Sequence, residues 1–249
     1  MNKNERHFVL VHGARHGAWC WYKVATLLKS AGHKVTALDM AASGVNPKQA
    51  EDVTCFSHYI EPLMEFMTAL PSDERVILVG HSAGGGCISV AMENFPHKVS
   101  VAVFATALMP GPNLSFAALC QEFRRRLGAT SERSENLPTL DRSASSGNQL
   151  SPPEDVTLAK SLMRPYPRFI DEELFEAETR FSQEKFGRVA RIYMMTDQDQ
   201  IIKEDFQRWM IEKHPTNEVK HVNGSDHMLM FSIPLQLFSC LHDIACNYP

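Results

Sequence analysis

The chain has 249 residues, of which 44% are hydrophobic, and this fits one α/β domain with a large buried core. Its 25 basic and 29 acidic residues give a net charge of −4, and its densest basic run is the short Arg124-Arg125-Arg126, so we expect no nucleic-acid partner. No apolar stretch approaches the length of a membrane span, and the polar N-terminus has no signal or transit pattern, so we expect no membrane association.

The cysteines give no sign of a disulfide framework or of a metal site. There are six, scattered along the chain without a C-x-x-C pair or a Cys/His cluster. Reduced thiols in a cytoplasmic protein are the simplest interpretation. We therefore expect no metal ion and no cofactor. The sequence does not determine the oligomeric state, and a homodimer is compatible with it.

Strand and helix patterns alternate in both the first and the last part of the chain. Such alternation predicts a mostly parallel, doubly wound sheet with helices on both faces. The predicted elements, in chain order, are strand 7–12, helix 19–31, strand 34–38, helix 56–69, strand 76–79, helix 84–95, strand 99–105, helices 154–163 and 172–181, strand 189–195, helix 204–213, strand 218–222 and helix 234–247.

The alternation breaks in the middle of the chain. Residues 109–112 read Met-Pro-Gly-Pro, and the region after them has helical segments but no convincing buried strand. Residues 131–151 are rich in Ser, Glu, Asn and Arg, which predicts a surface loop. We therefore predict a helical cap inserted in the sheet domain. The predicted boundaries are residues 1–110 and 189–249 for the core and 111–188 for the cap.

The junction of strand 76–79 and helix 84–95 carries the strongest functional motif. It reads Gly80-His81-Ser82-Ala83-Gly84, a G-x-S-x-G pattern placed where a strand ends and a helix begins. In a nucleophile elbow the serine occupies a sharp turn, and the flanking glycines avoid collisions with the neighbouring strand and helix. The motif predicts that Ser82 is a nucleophile.

A serine nucleophile needs a base and a group that orients the base, and on this type of sheet they follow in the chain order Ser, acid, His. His227 follows the last predicted strand, and both Asp197 and Asp199 follow the strand before it. Position alone does not choose between the two aspartates. Asp226 is interpreted as a turn residue that positions the His227 loop.

An oxyanion in such a site needs two backbone N–H donors. Ala83 follows the nucleophile and supplies one, and Ala14, in the loop after the first strand, is the expected second donor. The histidines of these loops, at positions 12, 16 and 81, are interpreted as structural. Candidate contacts to an apolar substrate, several of them equally compatible with plain core packing, are Gly13, Trp19, Leu108, Phe116, Phe123 and Met228.

With these residues assembled, the chain resembles the plant methylesterase and hydroxynitrile lyase family of α/β-hydrolases. The family includes methyl salicylate and methyl jasmonate esterases, polyneuridine aldehyde esterase, cyanohydrin-cleaving lyases and methylketone synthase. The resemblance covers nearly the whole chain. It rests on residues 7–13, 17–23, 32–39, 42–44, 151–155, 164–165, 206–209 and 226–228.

The resemblance implies an α/β-hydrolase fold and favours Asp199 as the acid. It also implies an esterase, because the lyases carry a threonine where Gly13 stands, a glutamate at His81 and a lysine at Met228. Residues 46–50, 109–113 and 210–213 are most similar to methylketone synthase. That branch has lost the serine and the aspartate that this chain retains as Ser82 and Asp199.

One segment departs from the family pattern. Family members usually have an additional apolar helix before the Ser-Pro-Pro-Glu-Asp motif, whereas residues 137–150 are short and polar here. We expect a shortened cap and a more open pocket. The predicted activity is hydrolysis of a small apolar or specialised-metabolite methyl ester, with decarboxylation of a β-keto acid product as a further hypothesis. A hydroxynitrile lyase and a hydrolase-fold receptor with little turnover are the alternatives.

Overall fold

The sheet is the framework of the molecule, for which a computed structural model describes residues 5–127 and 147–248. Six strands occur in the order β2-β1-β3-β4-β5-β6, and every pair of neighbours is parallel. This agrees with the predicted parallel sheet. The strands are β1 (His7–Val11), β2 (Lys34–Leu38), β3 (Val76–His81), β4 (Val99–Ala105), β5 (Arg191–Thr196) and β6 (Glu218–Val222).

The helices of the described residues follow the predicted order closely. They are α1 (Tyr22–Ser30), α2 (Phe56–Ala69), α3 (Gly84–Asn94), α4 (Phe116–Arg126), α5 (Pro153–Leu162), α6 (Glu172–Glu178), α7 (Glu204–Lys213), α8 (Leu229–Ser232) and α9 (Pro234–Asn247). The predicted helix 19–31 divides into a 3₁₀ turn, Ala18–Trp21, and α1. Two of these helices are not among the predicted elements: α4, which lies in the region expected to be helical but without assigned bounds, and the four-residue α8, whose single turn is too short to show a helical period.

Hydrophobic layers cover both faces of the sheet. Along β1, Val9 and Val11 point into one layer, while Phe8 and Leu10 point into the other, and all four are fully buried. Helices α2, α3 and α7 pack on the first face, and α1 and α9 pack on the second. Burial on both faces explains why the central strands β1, β3 and β4 read as mostly apolar runs rather than as alternating patterns.

The region predicted as a cap is helical where it is described. Residues 111–127 and 147–188 contain α4, α5, α6 and a 3₁₀ turn, Phe186–Arg188, and no strand. Its division from the core as a cap stays a prediction. Most of the predicted loop 131–151 and of the short polar segment 137–150 lies outside the described residues. In the part of the chain that is described, no helix is long and apolar enough to cross a membrane.

The strand order creates a crevice at one edge of the sheet. From β1 the chain moves outward to β2 and then returns to the other side of β1 with β3, so the winding direction reverses between β1 and β3. Ligands of open α/β sheets bind outside the carboxyl ends of the strands at such a reversal. The loops that leave β1 and β3 here are those that carry Gly13 and Ser82.

Candidate active site

The turn between β3 and α3 has the strained geometry expected of a nucleophile elbow. Ser82 has a φ of 52°, in the left-handed region that side-chain-bearing residues rarely adopt. A Cβ on Gly80 would lie 2.8 Å from the carbonyl oxygen of Gly84, and one on Gly84 would lie 2.7 Å from the carbonyl oxygens of Val11 and His12. Both glycines are therefore required by the close approach of helix and strand, as the motif predicts.

Ser82 and His227 meet above the carboxyl edge of the sheet. His227 lies in the loop after β6, and its Nε2 is 3.0 Å from the Ser82 Oγ. Its Nδ1 is 2.7 Å from Oδ2 of Asp199. A carboxylate only accepts hydrogen bonds, so Nδ1 carries the proton and Nε2 accepts from the Ser82 hydroxyl. Folding thus brings together three side chains that are distant in sequence.

The two candidate aspartates have different environments. Asp199 is buried, and its Oδ1 accepts hydrogen bonds from the N–H groups of Ile201 and Ile202 at 2.7 and 2.9 Å. Asp197 is exposed and accepts from the N–H of Gly224 at 2.8 Å. The structure therefore joins Asp199 to His227 and gives Asp197 a place in the turn before the histidine.

Thr106 is a residue of this site that no sequence motif indicates. It follows β4 directly, is fully buried, has a φ of 39°, and donates from Oγ1 to Oδ2 of Asp199 at 2.5 Å. This bond fixes the carboxylate oxygen that His227 uses. The only available signal was the position of Thr106 at a strand end, because its partner lies 93 residues away.

The loop after β1 lies close to Ser82. A Cβ on Gly13 would be 2.8 Å from the Ser82 Cβ, so only a glycine fits without displacing the elbow. His12 is fully buried, its Nε2 accepts from the N–H of Met40 at 3.1 Å, and its Nδ1 donates to the carbonyl of Gly13 at 2.8 Å. In a trans peptide the N–H points away from the carbonyl, so this bond also orients the N–H of Ala14.

His81 supports the His227 loop from the elbow side. Its Nε2 donates to the carbonyl oxygen of His227 at 2.8 Å, and the two rings lie 4.7 Å apart between centroids. Burial lowers the pKa of His81 well below its usual value. A neutral ring at this position avoids a positive charge next to the base. The interpretation of this histidine as structural agrees with these contacts.

His16 is a second buried neutral histidine near the site. Its Nδ1 donates to the carbonyl of Ala14 at 3.0 Å, and its ring lies 5.3 Å from that of Trp19. Desolvation lowers its pKa to about 4. A group whose pKa is lower in the folded state binds its proton more readily in the unfolded chain. The free energy of unfolding therefore decreases as the pH falls from about 6.5, the pKa of an unperturbed histidine, towards 4.

We expect His16→Gln to weaken the acid sensitivity of the fold. The lowered pKa corresponds to a loss of about 2 to 3 kcal/mol in the free energy of unfolding between pH 7.5 and pH 4.5, which the variant avoids. Denaturant unfolding at the two pH values measures the difference. His58→Gln, at an exposed position of α2, is the control and should behave as the wild type does. If the free energy of unfolding decreases equally in wild type and His16→Gln between the two pH values, the low pKa assigned to His16 is contradicted.

The predicted substrate contacts fall into separate groups. The N–H of Leu108 donates to the carbonyl of Ser82 at 3.0 Å, and the ring of Phe116 packs against Gly86, where a Cβ would lie 2.3 Å from it. Trp19 stacks on Phe231, in the layer that also contains the buried Met228. Phe123 stacks on Phe206 of α7 at 5.4 Å. Their roles as substrate contacts stay predictions.

Phe116 belongs to an aromatic cluster beside the elbow helix. Its rings pack 5.1 to 6.1 Å apart between centroids, and its members are Phe56, Tyr59, Phe116, Tyr166, Phe169 and Phe175. A cavity of about 480 Å³ between α4 and α6 borders two of them, Phe169 and Phe175. None of the predicted site residues lines that cavity, so it does not locate the ester.

The chain matches a protein-family model and is similar to known plant esterases. A model of the alpha/beta hydrolase family matches residues 8–239. Methyl jasmonate esterase 1 of Vitis vinifera is 54% identical over 261 aligned positions, with 100% of both chains covered. Polyneuridine aldehyde esterase of Rauvolfia serpentina is 40% identical, with 98% of this chain and 97% of the relative covered.

Two solved structures have the same fold as this chain along nearly its whole length. A variant of tomato methylketone synthase I complexed with β-ketoheptanoate has a TM-score of 0.90 and is 44% identical, with 98% of each chain covered. Polyneuridine aldehyde esterase has a TM-score of 0.87 and is 38% identical, with 97% of this chain and 99% of that chain covered. The predicted fold class and the predicted resemblance are confirmed by these matches.

Proposed function

The chain belongs to the alpha/beta hydrolase family, and from this premise we propose that it is a carboxylic ester hydrolase that cleaves methyl esters with Ser82, His227 and Asp199. The observation that carries the proposal is the continuous hydrogen-bonded path from the Ser82 hydroxyl through His227 to the Asp199 carboxylate, with distances of 3.0 and 2.7 Å. A serine hydroxyl becomes an effective nucleophile only with such an oriented base.

The reaction has two steps. In the first, the Ser82 Oγ attacks the ester carbonyl while Nε2 of His227 takes its proton, and the resulting imidazolium then protonates the departing methanol. In the second, His227 takes a proton from water, which attacks the acyl-enzyme, and then returns the proton to the Ser82 Oγ as the acid is released. Asp199 holds His227 in the required tautomer and stabilises its charged form, and Thr106 holds Asp199.

The negative oxygen of each tetrahedral intermediate needs donors that are already oriented. We assign this role to the N–H groups of Ala83 and Ala14. Ala83 directly precedes α3, where the first N–H groups of the helix lack intrahelical partners and the helix dipole favours negative charge. The N–H of Ala14 is held in place by the bond from His12 to the neighbouring carbonyl.

The substrate class is supported by the relatives. Methyl jasmonate esterase 1 and polyneuridine aldehyde esterase are named as esterases, and the predicted contacts Trp19, Leu108, Phe116, Phe123 and Met228 are apolar. We propose a small apolar or specialised-metabolite methyl ester as the substrate. With a shortened cap, the site would also accept acyl groups bulkier than salicylate, and a co-crystal structure with a small enclosed cavity would contradict this.

Decarboxylation after hydrolysis is a second proposed activity. The similarity to methylketone synthase I, which was solved with β-ketoheptanoate, favours testing it. Hydrolysis of a β-keto methyl ester would release a β-keto acid, and loss of CO2 from that acid gives a methyl ketone. An increase in the rate of CO2 release above that of the free acid in buffer would assign the second step to the protein.

A screen of methyl esters tests the main proposal. The panel contains methyl jasmonate, methyl salicylate, an alkaloid-type methyl ester and a β-keto methyl ester, and methanol and the acid product are measured by mass. We expect many equivalents of methanol per protein for at least one ester. Arrest after about one equivalent would favour a receptor, and cyanide release from cyanohydrins without ester turnover would favour a lyase. Cytoplasmic location stays a prediction from the sequence, and a homodimer stays compatible with it.

A further inference from the structure

A short segment joins the two loops that carry His227 and Asp199. Residues 149–151, named here the strap, precede α5. The Nε2 of Gln149 donates to the carbonyl of Gln198, the residue before Asp199, at 2.5 Å. The N–H of Leu150 and the hydroxyl of Ser151 each donate to Oδ2 of Asp226, the residue before His227, at 2.9 Å. The strap therefore touches both loops next to their functional residues.

Asp226 is the point where the strap meets the His227 loop. Its carboxylate is fully buried, and its Oδ1 accepts from the N–H of Met228 at 2.9 Å. One carboxylate oxygen thus holds the backbone just after the histidine, and the other holds the strap. A buried carboxylate is stable only when its oxygens are paired, so each of the three bonds contributes to holding Asp226 in place.

The backbone of His227 is held from two sides. His81 binds its carbonyl from the elbow, and Asp226, within the same loop, accepts from the N–H of Met228 while its other oxygen is bound by the strap. The loop itself contains Gly224 with a φ of 75° and has no regular secondary structure between β6 and α8. The bonds from His81 and from the strap therefore help to hold the backbone of this loop, and with it the imidazole, relative to Ser82.

We propose that Asp226 is a positioning residue for the base, and that its buried carboxylate transmits the position of the strap to His227. The inference rests on the proposed function for its meaning in catalysis, but its geometry is independent of the substrate. A displacement of about 1 Å at a reacting group can cost about 100-fold in rate. The strap would thus couple the region predicted as a cap to the chemistry.

Asp226→Asn breaks the coupling with a minimal change of shape. A carboxamide has one acceptor oxygen, so it cannot accept from both the Met228 N–H and the strap. We expect kcat to fall between about 10-fold and 100-fold while KM stays within about threefold, because the acyl pocket is unchanged. The rate at which a fluorophosphonate labels Ser82 should fall by the same factor, and this rate does not depend on the substrate.

Glu93 provides a matched control. Its carboxylate also accepts from two backbone N–H groups, of Ser182 and Phe186, and from one serine hydroxyl, of Ser182. It lies at the other end of α3 from Ser82. Glu93→Gln therefore breaks the same kinds of bond and should lower the thermal midpoint while leaving the labelling rate unchanged.

The outcomes separate this inference from the proposed function. If wild type hydrolyses no ester but Ser82 is labelled and Asp226→Asn slows the labelling, the proposed function fails and the positioning role stands. A labelling rate and a kcat of Asp226→Asn within twofold of wild type would overturn the role, as would an equal loss in Glu93→Gln.

If Asp226→Asn does not fold, two substitutions of Ser151 test the same contact. Ser151→Ala should slow labelling about threefold, since one of three bonds to the carboxylate is lost. Ser151→Thr keeps the hydroxyl and should restore the rate, whereas Ser182→Ala should have no effect. Equal labelling rates in Ser151→Ala and wild type would overturn the inference.

Discussion

Ser82→Ala is expected to lower kcat for methyl ester hydrolysis by about 10⁶-fold, to a residual rate supplied by binding and the oxyanion donors. The variant removes the atom that forms the acyl-enzyme. Alanine should be tolerated in the fold, because it retains the Cβ that the strained turn already accommodates. Initial rates with the best ester of the screen, together with a thermal unfolding curve, measure both effects.

Ser89→Ala is the control for this variant. Ser89 is a fully buried serine of α3, the helix that follows Ser82, and its hydroxyl donates to the carbonyl of Gly85 at 2.7 Å. Its loss should cost a modest amount of stability and leave kcat within about twofold, since no reacting group is touched. Hydrolysis that continues in Ser82→Ala at the rate of wild type would remove Ser82 from the mechanism.

Asp199→Asn is expected to lower kcat by about 10⁴-fold. The carboxamide can donate to Nδ1 of His227 from its NH2 group, and this would stabilise the wrong tautomer, in which Nε2 carries the proton and no longer accepts from Ser82. The bond from Thr106 would compete for the one remaining acceptor oxygen. KM should change little, because Asp199 lies behind the histidine and does not face the ester.

Asp197→Asn is the matched control for Asp199→Asn. The two residues lie in the same loop, but Asp197 is exposed, and its carboxylate accepts from the backbone N–H of Gly224 rather than from His227. Its amide oxygen can still accept that bond, so kcat should stay within about threefold. A large loss in Asp197→Asn with a small one in Asp199→Asn would reverse the assignment of the acid.

The sequence predicted the parts of the site that depend on strand ends. Ser82 was identified by its motif, and His227 by its place after the last strand, because parallel strands bring their carboxyl ends to one edge. The choice of Asp199 over Asp197 did not follow from position. It came from a family resemblance, and the structure supplies the physical difference, namely burial and four donors on one carboxylate.

Other contributions to the site left no local pattern in the sequence. Thr106 bonds across 93 residues and Asp226 reaches its strap across 75 and 76 residues, so neither partner can be found from periodicity or from a motif. The tautomer of His12 depends on the buried Met40 N–H, which only the folded chain brings to it. The sequence indicates a structural role for this histidine, and its effect on the oxyanion loop becomes visible only from the bonds.

Covalent labelling with a fluorophosphonate tests the central claim most directly, because it reports an activated serine without any assumption about the natural ester. We expect one probe per protein on the peptide that contains Ser82, loss of ester hydrolysis in proportion to the labelled fraction, and no labelling in His227→Ala. A probe attached elsewhere, or full hydrolysis by protein whose Ser82 is labelled, would contradict the assignment of Ser82 as the activated nucleophile.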